Sequence, residues 1–157
     1  MSDDRLQLFL RALDPKGKSW SGCPSPAGSL RSIPLDLAVR ESAGLKHCIW
    51  ELALHIAYWE YAICRMLVKG PKGGFPRTPS NWPALPETPT DAAWKADRRL
   101  VKQERDALIE AICSFDVKQL NNPSADGSKN SYADVLSGIV QHSVYHTGQI
   151  ALLKRLK

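Results

Sequence analysis

Apolar residues recur at three- and four-residue intervals along four stretches of this chain, and proline and glycine punctuate the gaps between them. From Leu45, the positions Ile49, Leu52, Ile56, Trp59, Ile63 and Leu67 keep that spacing, which places them in one stripe along a helix. The pattern predicts a helix over Leu45–Val68, stopped by "KGPKGG". A shorter helix is predicted over Asp3–Leu13, before Pro15 and Gly17, and a brief one over Leu35–Glu41 after Pro34. Thr90 reads as the N-cap of a third long helix reaching Phe115, with Trp94, Leu100, Val101, Leu108, Ala111 and Ile112 inward. The fourth runs from Ser131 to the C-terminus and turns Tyr132, Leu136, Ile139, Ser143, Ile150 and Leu153 inward. No strand alternation and no internal repeat interrupts these patterns. The expected fold is all-α, an antiparallel four-helix bundle, with residues 1–157 forming one domain.

One connection departs from the pattern. "GPKGGFPRTPSNWPALPETP" has six prolines and no periodicity. A loop this long in a compact domain is either disordered or functional. Trp82 and Leu85 within it predict that it packs on the body of the bundle.

Composition narrows the function classes. With 43% apolar and 24% charged residues the chain has an ordinary globular balance. No apolar run has membrane-spanning length, and "MSDDRLQLFL" lacks a basic leader, so a cytoplasmic location away from membranes is expected. Cys23, Cys48, Cys64 and Cys113 form no CxxC and are expected to be reduced and mostly buried. The net charge of +5 is spread along the sequence, with a small cluster in "LLKRLK". Basic residues there suit the negative end of a helix dipole. Without a basic stripe interleaved with aromatics, nucleic-acid binding is not expected.

The stretch "QHSVYHTGQI" carries candidate chemistry. His142 and His146 are four apart, hence roughly 6 Å apart along a helix axis. At about 100° per residue, His146 falls about 40° and His142 about 80° from the centre of their helix's apolar stripe, on one side. His55 lies about 80° from the stripe of its own helix, beside the small residues Cys48 and Ala62, which leave room next to it. A lone histidine on a helix shoulder is ordinarily a hydrogen-bonded core-edge residue. Three on matching shoulders can instead form a metal site with open coordination positions, since neutral imidazole binds zinc, nickel, copper or iron. His47 is expected to be exposed and outside the group. Gly148 points about 160° away, where another helix or subunit could approach closely.

"ELALHIAYWEYAICRML" and "YADVLSGIVQHSVYHTGQIALLKRL" resemble the DinB-like superfamily, which includes the YfiT-type proteins and the bacillithiol and mycothiol S-transferases. The family's last-helix signature corresponds to His142, Tyr145, His146, Gly148, Gln149 and Ile150. Its second-helix histidine and tryptophan correspond to His55 and Trp59, and "NWPALPETPTDAAW" is similar to the family's proline-rich entry to the third helix. The resemblance implies a four-helix bundle with a divalent metal, zinc or nickel, held by His55, His142 and His146. It implies thiol-dependent transfer with a low-molecular-weight thiol whose pKa the metal lowers. It also implies a homodimer, which fits a surplus of large apolar residues in Trp82, Trp94, Tyr145 and Leu152.

Several roles stay open at this stage. Glu51, one turn before His55, is a candidate base or outer partner, against a solvated helix glutamate. Gln149 is a candidate for orienting a ligand, and Tyr145 for donating to a substrate. Cys48 is a packing residue or a metal contact, and Trp20 and Cys23 are candidates for the pocket wall. A small-molecule substrate is expected. The competing functions are thiol transfer or detoxification, metal-dependent hydrolysis, and a non-catalytic metal-binding stress-response module. A basic pocket favours the first, a carboxylate beside the metal the second, and a closed coordination shell the third. The three ligand nitrogens are expected within about 4 Å of one another, with metal binding fading below about pH 6.

Overall fold

The computed structural model describes residues 4–14, 24–42, 44–69 and 73–156. Helices α1 (Asp4–Leu13), α2 (Pro26–Ser29), α3 (Leu35–Ala38), α4 (Ile49–Val68), α5 (Asp91–Cys113) and α6 (Tyr132–Leu153) follow in order, with a 3-10 turn at Val117–Gln119. Among the described residues there is no strand, and the all-α bundle holds.

Local chemistry fixes the ends. Thr90 Oγ1 accepts from Ala93 N, starting α5 where the sequence placed it. Ser131 and Asp134 form a reciprocal capping box at α6. Helix α4 starts at Ile49, four residues later than its apolar spacing predicts. Gly44 takes a φ of +82° and Leu45 N donates to Ser42 O, so a turn occupies that stretch. Cys48 caps the helix, its N–H donating to Glu51 Oε2 at 2.9 Å. Leu45 is consequently exposed instead of joining the stripe. The carbonyls at the end of α6 are met by Arg40, which donates to Leu153 O and Leu156 O. The terminal basic residues, expected to serve that helix end, lie past it, and Lys154 Nζ donates to Ser29 O.

Apolar side chains form two clusters along the bundle. One joins Trp50, Leu54 and Ile56 to Trp94, Val101, Ile150 and Leu153. The other joins Ile63 and Leu67 to Leu108, Ile112, Leu136 and Ile139, with Leu6 and Leu13 of α1. The start of α4 thus meets the end of α6, an antiparallel pair. Helices α4 and α5 run the same way, a departure from simple antiparallel alternation. Trp50 Nε1 donates to Asp97 Oδ2, Arg105 contacts Glu60, and Lys69 donates to Gln119, so starts, middles and ends all match. A parallel neighbour requires the chain to return along the roughly 30 Å length of α4, and the long proline-rich connection does so.

Other expectations change as well. Gly148 faces open space, where an added Cβ would meet nothing within 4 Å, so among the described residues no helix packs there, and of the two approaches expected only a subunit's is left open. Cys48 is buried, Cys64 half-buried and Cys113 exposed, all as free thiols, while Cys23 and Trp20 lie outside the described residues. Of the apolar surplus, Trp94 is buried and Trp82 half-buried within the chain, whereas Tyr145 and Leu152 are exposed.

A charged layer lies in the core. Arg105 is ion-paired with Glu60, donates to Ser143 Oγ at 3.2 Å and to Leu13 O at 3.1 Å, and is 3% exposed. Burial pushes the Glu60 carboxyl up to about 7 while the guanidinium against it opposes that shift. Glu60→Ala strands a buried cation and is expected to cost about 3–5 kcal/mol, whereas replacing Glu60 and Arg105 together with Met or Leu restores most of the loss. Urea unfolding of the three proteins measures both effects. Equal stability of the single variant and the parent would contradict this account of the layer.

Candidate metal centre

His55 sits in the second turn of α4, and His142 and His146 occupy successive turns of α6. The antiparallel packing of these helices brings the three rings together. Centroid separations are 4.9 Å for His55 and His142, 4.7 Å for His55 and His146, and 4.5 Å for His142 and His146. His55 Nε2 lies 3.0 Å from His142 Nε2, and one ring nitrogen from each histidine falls in a group spanning at most 4.8 Å. That limit is wider than the 4 Å expected. Two metal–nitrogen bonds of about 2.1 Å span about 4.2 Å at most, so a small ring rotation completes a shared site.

The far side of each ring decides which nitrogen is free. His55 Nδ1 donates to the Asn81 carbonyl at 2.6 Å, which leaves the Nε2 lone pair facing His142. His146 Nδ1 donates to Gln149 Oε1 at 2.6 Å. Gln149, a candidate for orienting a ligand, thus orients a histidine. His142 Nδ1 is buried without a partner. The His55 Nε2 lone pair faces His142 Nε2, and either the His142 proton or a cation fills the space between them, so the donor set fits a metal ion. Burial lowers the pKa of all three histidines, that of His142 to about 3, and keeps them neutral as ligands must be.

The proline-rich connection forms one wall. Asn81 has a φ of +72°, a conformation asparagine tolerates better than most residues. It turns its carbonyl to His55 while its side-chain Oδ1 accepts from Trp59 Nε1 at 2.9 Å. The Trp82 indole stacks on His55 at 3.8 Å and on His47 at 3.6 Å. His47, expected to be exposed, is half-buried by this stacking. Arg77 anchors the loop through Asp97 at 2.6 Å.

The remaining candidates separate by position. Glu51 holds the N-terminus of α4 and lies 3.5 Å from His47 Nδ1. It lines a depression of about 600 Å³ with His47 and Cys48. The Cys48 thiol is pushed by burial up to about 11, so it is protonated at neutral pH, and Cys48 is outside the histidine group. Tyr145 is 63% exposed with its ring 4.9 Å from that of His146. It borders a cavity of about 250 Å³ that opens beside His146 and Gln149, walled by Leu52, Trp82 and Leu152 and flanked by Lys46 and His47. Among the described residues no carboxylate lines that cavity.

Asn81 and His47 were not legible as site residues. The only local signal was "SNWP", a turn with an asparagine suited to positive φ; what its carbonyl meets is set by tertiary packing.

No described helix is long and apolar enough to cross a membrane. Neither a curated protein nor a solved structure matches the chain. A family model described as the DinB superfamily matches residues 27–150, which take in the three histidines and the loop that covers them. The chain belongs to the DinB superfamily.

Proposed function

We propose that His55, His142 and His146 hold a divalent metal ion, zinc or nickel, and that the protein is a metal-dependent enzyme of thiol transfer or detoxification. The observation that carries the reading is the 3.0 Å approach of the His55 and His142 Nε2 atoms, with the His55 ring fixed from behind by the Asn81 carbonyl and the adjoining His146 ring by Gln149. An ion held there supplies the charge that lowers the pKa of a thiol brought to it. The chain's own residues do the rest. Asn81 and Gln149 hold two rings in the tautomer that leaves Nε2 free. Trp82 keeps water from the His55 face, and the cavity beside His146 offers apolar walls with Lys46 for an anionic group. A hydrolase would need a carboxylate to take a proton from water at that cavity. Glu51, the candidate for it, is engaged at the helix cap instead, which favours the thiol reading.

His142→Ala or His146→Ala is expected to abolish stoichiometric metal binding, read by elemental analysis of the purified protein. Helicity should persist, because both apolar clusters lie beside these positions. Retention of one ion per chain in both variants would rule the site out.

The depressed pKa values move the acid limit. Unfolded imidazoles take up protons below about pH 6.5, whereas the folded ones resist, His142 down to about 3. Between those values the unfolded chain binds more protons, so metal-free stability falls as pH drops from about 6.5 toward 3. Metal binding correspondingly persists to more acidic pH than the limit near 6 expected of unperturbed imidazoles. Urea midpoints between pH 7 and 5 should fall less steeply for His142→Ala than for the parent; matching slopes would refute the assignment.

For activity, conjugation of a carboxylate-bearing thiol to an electrophile should require the bound metal. Lys46→Glu should raise KM about fivefold, the effect of about 1 kcal/mol from one exposed charge. Turnover that survives metal removal would sink the proposal.

A further inference from the structure

The positive charge that looks scattered along the sequence is concentrated in space. Lys95, Arg98, Arg99 and Lys102 follow one another at helical spacing on one face of α5. With Arg31, which follows α2, and Arg105 they line a groove of about 560 Å³, where six cationic residues face two carboxylates, Asp14 and Asp106. Asp106 is already paired with Lys102. Among the described residues, Arg31, Lys95, Arg98 and Arg99 have no ion-pair partner.

Two further features mark the groove as more than a solvated helix face. The Arg98 guanidinium carbon lies 5.5 Å from the Trp94 ring centroid, a cation–π contact that restrains the side chain, and its Nε is buried without a partner. Arg105, 3% exposed, also lines the groove, and its Nε is likewise buried and unpartnered. Arg105 is neutralised by Glu60, but Arg31, Lys95, Arg98 and Arg99 repel one another until an anion neutralises them. Arginine forks match phosphate oxygens in pairs.

We propose that this groove is an anion site that takes the oligophosphate of a small phosphorylated molecule. Its volume falls within the roughly 300–1,000 Å³ of small-ligand pockets. The cationic row from Lys95 to Lys102 is about 10 Å long, which suits a di- or triphosphate. A nucleic-acid strand would need a longer track and aromatic platforms for its bases, and Trp94 is 1% exposed. The groove is lined by none of His55, His142 and His146, so the two sites share no binding residue.

The test is calorimetric titration of the full chain, metal-loaded, with inorganic tripolyphosphate at constant ionic strength. Saturable binding of one equivalent is expected. The exposed-residue variant Arg31→Gln/Lys95→Gln/Arg99→Gln should weaken it at least tenfold while metal content stays unchanged. His146→Ala should leave it intact. Absent or non-saturating binding, equal affinity in the triple variant, or loss on His146→Ala would each overturn the proposal. Tighter binding of a single-stranded oligonucleotide than of tripolyphosphate would overturn it in favour of nucleic acid.

Discussion

The hydrogen bond from His55 Nδ1 to the Asn81 carbonyl is the contact on which the candidate centre depends. An imidazole has two nitrogens, and a hydrogen bond that takes the proton of one, as for His55 and His146, fixes the ring with the other nitrogen free for a metal. Asn81 provides that acceptor because its backbone adopts positive φ and its side chain is held by Trp59. The loop that presents Asn81 is tied in turn to Asp97, which receives Arg77 from the loop and Trp50 from α4. One buried carboxylate thereby links two helices and the loop, and it does so on the helix that carries no histidine ligand.

Beneath the histidines, the Glu60–Arg105–Ser143 layer divides the core into two apolar clusters. A fully buried ion pair contributes little net stability compared with apolar residues of similar volume. It does penalise displaced arrangements, because sliding α4 along α5 would separate two charges that nothing nearby could satisfy. Ser143 lies between His142 and His146 in sequence and touches the same pair, so the register that pairs Glu60 with Arg105 is also the register that sets His55 against α6.

The histidine group was legible because helical periodicity converts sequence spacing into direction, and three shoulders could be compared by arithmetic. The caps at Thr90 and Ser131 were legible for a similar reason, being local chemistry. The early start assigned to α4 failed because Leu45 keeps the apolar interval while Gly44 and the Ser42 turn break the helix before it. His47 was misjudged as exposed because its cover, Trp82, comes from a loop without periodicity. The cationic groove was missed because counting charges along the chain hides a face that only α5's spacing and its packing beside α2 bring together.

The sense of α4 against α5 ties these observations to one topological cause. A hairpin of two antiparallel helices needs only a few residues between them. Parallel neighbours oblige the chain to travel back the length of the bundle, which leaves a long segment lying against its side. Prolines suit such a segment, since they hold it extended and carry no backbone N–H to be left unpaired. Once that backbone must cross beside α4 and α6, its carbonyls and aromatic side chains are available to the histidines beneath. Asn81 and Trp82 occupy the crossing point, so the return that the topology demands also supplies the wall of the site.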